Sequence, residues 1–137
     1  MAHQLIRCLA DHYGVPPEHV WGMTALESSF DPGAVGANGF DSGYCQINLS
    51  PAAHGGSIPP PQAFNPIYAF DYTCRRLLNA RSQFSAKGPD LQDKCGIAQH
   101  NSPLAAKIWY EIGWADPDEG IAIYVDRVLA RAETYPG

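Results

Sequence analysis

Residues 25–49, ALESSFDPGAVGANGFDSGYCQINL, decide how the rest of the chain is read. The first residues of this stretch end a helix. Pro16 and Pro17 suit its start, it runs to about Ser28, and it carries Val20, Met23, Thr24 and Glu27 along one side. The next part cannot be helical. Residues 31–43 hold four glycines, a proline, an asparagine and two aspartates, the composition of a loop or short hairpin. Residues 46–50 then begin another short element. A glutamate is thus set at the end of a helix, beside a turn-rich segment able to fold back on it.

Outward from this stretch the periodicity is helical in both directions. Ala2 to Tyr13 carry Leu5, Cys8, Leu9 and His12 at i, i+3, i+4, i+7 and stop at Gly14, so a first helix with that face inward is expected. Residues 54–61, HGGSIPPP, are a cluster of helix breakers. Asn65 and Pro66 supply an N-cap and a first-turn proline for a helix ending near Phe84, with Ile67, Phe70, Cys74, Leu77, Leu78 and Arg81 at helical spacing. A shorter helix follows over 91–100. Ser102 and Pro103 cap the next, with Leu104, Ile108 and Ile112 inward. Asp116, Pro117, Asp118 and Glu119 form a capping-box pattern before a last helix to about Thr134, whose apolar face is Ile121, Tyr124, Val125, Val128 and Leu129. No repeat or linker breaks the pattern. The expected architecture is a single mainly α domain over 1–137, of α+β type, with a small hairpin or loop lobe.

Composition narrows the classes. The 137 residues are enough for one sizeable core, and 45% hydrophobic against 17% charged residues marks a globular chain. A net charge of −5 with nine Lys and Arg argues against nucleic acid as a partner. No apolar run approaches the ~18 residues of a membrane span, and the N-terminus lacks a basic stretch followed by an apolar core. The chain as given is therefore expected to be soluble, without membrane insertion, and cytoplasmic, exported by another route or cut from a larger protein. The five histidines show no HExxH or close pairing, so neither metal nor cofactor is expected. The four cysteines, Cys8, Cys45, Cys74 and Cys95, show no CxxC spacing. Cys8, Cys74 and Cys95 each fall on the apolar side of a helix, which fits free buried thiols. Disulfides, in any of three pairings, stay open. Arg75 and Arg76 are most simply a solvent-facing helix surface.

The chemistry lies with two carboxylates in different surroundings. Glu27 stands where the helix dipole is negative, and Met23, Phe30 and the helix face remove water from it; both effects favour the protonated form. A carboxylic acid kept protonated near neutral pH can protonate a departing glycosidic oxygen. Asp41, among Asn38, Gly39, Ser42 and Gly43, sits in a polar loop that keeps a carboxylate ionised. It could stabilise an oxocarbenium ion, attack it or orient water. Taken singly, each residue has a plain alternative: a solvated helix-end glutamate and an ordinary turn aspartate.

In order along the chain, these residues resemble the lysozyme-like superfamily of soluble lytic transglycosylases and phage-type muramidases. Glu27-Ser28-Ser29-Phe30-Asp31-Pro32-x-Ala34-Val35 is similar to the ESxFxPxAxS segment of the transglycosylases. Asp41-x-Gly43-x-x-Gln46-Ile47-Asn48 is similar to the DxGxxQIN string of secretion-associated transglycosylases and animal-type lysozymes. Phe64-Asn65-Pro66 resembles the D/N-P helix start, and residues 97–103, IAQHNSP, resemble the A-Y-N-x-G-P segment. The likeness spans roughly residues 20–110.

The resemblance implies a lysozyme-like fold whose two lobes flank a sugar-binding cleft. It implies Glu27 as the general acid and Asp41 as a secondary carboxylate. Gln46 and Asn101 would line or brace the cleft, with backbone support as their alternative. Tyr44 and Asn48 would lie near N-acetyl groups, and His100 stands where the family has tyrosine. The implied activity is cleavage of the β-1,4 bond between N-acetylmuramic acid and N-acetylglucosamine in peptidoglycan, by hydrolysis or by lytic transglycosylation. The implied setting is a monomer acting at the bacterial cell wall, as a phage lysin or virion-associated module. Two departures, Gly36 for the usual serine and His100 for tyrosine, keep a second function open: a non-catalytic glycan-binding or structural domain of the same fold.

Overall fold

The computed structural model describes residues 2–50, 58–115 and 120–137. Its elements in chain order are helices α1 (Ala2–Tyr13) and α2 (Pro17–Ser28), strands β1 (Asp41–Ser42) and β2 (Ile47–Asn48), and helices α3 (Pro60–Ala63), α4 (Pro66–Gln83), α5 (Pro89–Asn101), α6 (Pro103–Ile112) and α7 (Ile121–Ala132). The fold is mainly helical, and its two-stranded antiparallel hairpin pairs Asp41 with Asn48 and Ser42 with Ile47. Five of the seven helices among the described residues begin on a proline. Proline fits there because the first turn needs no N–H partner and φ is already near the helical value. Asn65 caps α4 by accepting from the N–H groups of Ile67 and Tyr68. Ser102 ends α5 and caps α6, accepting from Ala105 N–H.

The core is one cluster built from every long helix. Ile6 and Ala10 enter from α1, Val20 and Met23 from α2, Phe70 and Leu77 from α4, Ile97 and Ala98 from α5, and Ile121, Val125 and Val128 from α7. The most extensive helix packing is α2 against α7. A methyl group built at Gly22 would lie 2.3 Å from the carbonyl oxygen of Val128, so only glycine lets the two backbones approach this far. This crossing brings the last helix of the chain alongside the helix that carries Glu27.

Several faces differ from expectation. On α1 the buried stripe is Ile6 and Ala10, whereas Cys8 and His12 face solvent and Leu5 and Leu9 are only partly covered. Leu104 and Ile112 of α6 are largely exposed, because this helix enters the core through the small residues Ala105 and Ala106. On α4, Ile67 and Leu78 are likewise exposed, while Phe70, Cys74 and Leu77 are buried. All four cysteines are free thiols; Cys45, Cys74 and Cys95 are buried and Cys8 is not. The breaker cluster ends in a short helix at Pro60–Ala63, its earlier part lying outside the described residues, as does the capping-box pattern at 116–119. Among the described residues no helix is long and apolar enough to cross a membrane, and no group of three or more His, Cys, Asp or Glu is placed to hold a metal ion.

Candidate active site

Glu27 lies in the last turn of α2, and the backbone after it turns sharply. Ser29 and Phe30 both adopt left-handed φ, 51° and 61°, a conformation that costs a side-chain-bearing residue about 1 kcal/mol or more. Ser29 N–H closes the helix on Ala25 O, and the Phe30 ring packs on Trp21 with centroids 4.2 Å apart. The chain then returns through residues 31–40 to the hairpin. Gly36 N–H donates to Asp41 O at 2.8 Å, and Gly43 N–H to Ala34 O at 2.8 Å. Gly43 has φ 78°, and a Cβ there would meet the Ala63 carbonyl oxygen at 2.1 Å, which ties the hairpin closely to α3.

The Glu27 side chain is 21% exposed. Its Oε1 accepts a hydrogen bond from the Tyr124 hydroxyl of α7 at 2.9 Å, and His100 Nε2 of α5 stands 3.9 Å from the same oxygen. Burial raises the Glu27 pKa; the Tyr124 hydrogen bond opposes that rise, and the charge of Asp41 adds to it. The histidine is neutral. Burial and the nearby Arg76 charge bring its pKa down to about 4. Its Nε2 lies 3.1 Å from Cys45 O, so Nε2 carries the proton and donates it to the hairpin. The pair is therefore not a salt bridge at neutral pH.

Asp41 is held by Asn38, whose Nδ2 donates to Asp41 Oδ2 at 3.1 Å and whose Oδ1 accepts from the Asp41 and Phe40 N–H groups. Gln46 also adopts a left-handed φ, 50°, and its Nε2 donates to Gly43 O at 2.9 Å and to Ala34 O at 3.2 Å. Its amide braces the hairpin against the loop. A Cβ at Gly36 would come within 3.0 Å of Gln46 Oε1 and 3.1 Å of Asp41 Cβ, so a serine there would force both to shift.

Glu27, Asp41, Gln46, Asn48, His100 and Asn101 surround one groove of about 600 Å³, completed by Ile47, Tyr72, Arg76 and Pro103. A second groove of about 500 Å³ shares Glu27 and Asn101 and is lined by Leu26, Gly120, Ile123, Tyr124 and Arg127. Glu27 thus borders both, with the hairpin on one side and α7 on the other. Tyr44 is not among these residues. Its ring stacks on Phe70 of α4, 5.1 Å between centroids, and serves the core. Arg76 corrects the solvent-face expectation by lining the groove, while Arg75 stays exposed and pairs with Asp71. Tyr124, read as part of an apolar face, is the residue sequence reasoning missed. A hydroxyl on an otherwise apolar stripe was the available signal.

Compared with protein-family models, curated proteins and solved structures, the chain matches none.

Proposed function

We propose that this chain cleaves peptidoglycan glycan strands as a muramidase, acting on the β-1,4 bond between N-acetylmuramic acid and N-acetylglucosamine. The observation that carries this is Glu27: a largely buried carboxyl with a raised pKa, fixed by one hydrogen bond and bordering an open groove that also holds Asp41. A protonated carboxyl at that position supplies the general acid, and a second carboxylate can stabilise or attack the oxocarbenium-like centre or orient water. Among the groove's other polar side chains, Asn48 and Asn101 suit the hydroxyl and acetamido groups of a sugar chain. The order of motifs shared with lytic transglycosylases and lysozymes supports the same conclusion.

Mass spectrometry of digested peptidoglycan tests it. Fragments with reducing ends mean hydrolysis and 1,6-anhydro ends mean transglycosylation; Glu27→Gln should yield neither. A second function draws on Gly36, where a serine would crowd Gln46 and Asp41. In that case the domain binds glycan and cuts nothing, and the same digest releases no fragments while the protein still sediments with the wall.

A further inference from the structure

Two acidic side chains, Glu27 and Asp41, and one basic side chain, Arg76, line the hairpin-side groove among the described residues, beside the neutral His100. Asp41 and the chain's net charge of −5 oppose an anionic polymer, and among the described residues Arg76 is the one permanently charged cation lining this groove to meet it. The side chain is pre-positioned. Its Nη1 donates to the Tyr72 hydroxyl at 3.2 Å, its Nη2 reaches Gln99 O at 3.5 Å, and its guanidinium lies over the Tyr72 ring, 5.6 Å from the centroid. These contacts use two of the five N–H donors of an arginine and leave the others for a ligand. Among the described residues no carboxylate pairs with it, unlike its neighbour Arg75, which pairs with Asp71. A held guanidinium forms a bidentate pair with a carboxylate at little conformational cost.

We propose that Arg76 is the specificity-determining residue of the groove, reading a carboxylate on the glycan and so selecting acidic strands over neutral polymers of N-acetylglucosamine. This rests on the muramidase reading above, in which alternate sugars carry a lactyl ether. That carboxylate is free on peptide-stripped strands. On peptide-bearing strands it is amidated, and the stem peptide supplies carboxylates instead.

The test is equilibrium binding by Glu27→Gln protein, which does not cut, to three tetrasaccharides: peptide-free muramyl, peptide-bearing muramyl, and neutral chitotetraose. Adding Arg76→Gln should weaken binding of the acidic glycan about ten- to hundredfold, the range for losing a hydrogen-bonded charge partner, and leave chitotetraose within about twofold. Arg75→Gln, which removes the same charge outside the groove, should change neither. A preference confined to the peptide-free strand identifies the lactyl carboxylate; one confined to the peptide-bearing strand identifies the stem. Without any substitution at Arg76, amidating the glycan carboxylates should erase the preference, as should raising the salt concentration. Equal loss on acidic and neutral glycans, or no loss, overturns the proposal. If the unsubstituted chain cuts peptidoglycan in that event, the muramidase reading stands alone; if it neither binds nor cuts any of these glycans, both fall.

Discussion

Tyr124 donates a hydrogen bond from its hydroxyl to Oε1 of Glu27 across 97 residues of sequence, joining the last helix of the chain to the candidate acid. The bond fixes the carboxyl's orientation and favours its ionised form. Tyr124→Phe should therefore lower kcat by about ten- to hundredfold, the effect of losing a hydrogen bond to a charged group. It should also move the alkaline limb of the pH–rate profile upward, because one influence lowering the acid's pKa is gone. A profile that stays in place with undiminished kcat would remove Tyr124 from the site.

Glu27 makes a second, thermodynamic prediction. Its folded pKa lies above the unfolded value, so its contribution to stability is present at low pH and is lost as pH rises through the folded pKa. Above its folded pKa the ionised carboxylate is a burden on the fold. The melting temperature of Glu27→Gln, which can still accept from Tyr124, should therefore rise relative to the parent's as pH is raised from about 4 to about 9. Melting curves across that range decide this, and a difference that does not change with pH contradicts it.

His100 acts in the opposite direction. Its folded pKa, about 4, lies below the ordinary histidine value of 6.5. The stability it contributes is complete above pH 6.5 and is lost as pH falls through about 4, on the order of 3 kcal/mol for a shift of this size. Buried His19 is shifted the same way. Denaturant unfolding between pH 6.5 and 4 should thus show a steep loss of stability in the parent and a shallower one in His100→Gln. Parallel slopes would show that the histidine takes up its proton freely in the folded state.

Gly22 couples packing to chemistry. Alanine there places a methyl 2.3 Å from Val128 O, and backbone cannot yield as a side-chain tip can. Gly22→Ala should cost about 3 kcal/mol, the upper range for overpacking. It should also push α7 outward and carry Tyr124 away from Glu27. Cleavage by the residual folded protein, measured well below its melting temperature, should therefore fall as in Tyr124→Phe. Full activity per folded molecule would show that the crossing does not position the tyrosine.

The thiols give a direct chemical count. Burial pushes Cys45 and Cys74 up to about 12 and Cys95 up to about 11, so none offers a thiolate at neutral pH. A thiol reagent at pH 7 should label Cys8 alone in native protein and all four cysteines after denaturation. Fewer than four on denaturation without reductant would reveal a disulfide.

The features legible in the sequence were those governed by neighbours along the chain. Pro17, Asn65 with Pro66, and Ser102 with Pro103 mark helix starts because proline and capping act within one turn. The glycines of residues 31–43 mark the loop for the same local reason. Rotational register was less legible. On α1, Leu5, Cys8, Leu9 and His12 fit a stripe as well as Ile6 and Ala10 do, and one residue of difference turns the helix by about 100°. Leu104 and Ile112 are apolar yet exposed, and apolar character alone does not bury a residue. Contacts distant in sequence were least legible. Nothing local to Tyr124, Arg76 or Tyr44 tells that the first reaches Glu27, the second lines the groove and the third stacks on Phe70.

Ser29, Phe30 and Gln46 are the only side-chain-bearing residues with left-handed backbone among those described; the first two form the turn that follows Glu27, and the third lines the groove beside it. Under the proposed function, selection for heat resistance and selection for cutting would pull on these turns in opposite directions. Glycine at the exposed Ser29 relieves the backbone, yet it also frees the turn that sets the hairpin against the acid. Populations evolved in the laboratory under the two pressures would part company there first.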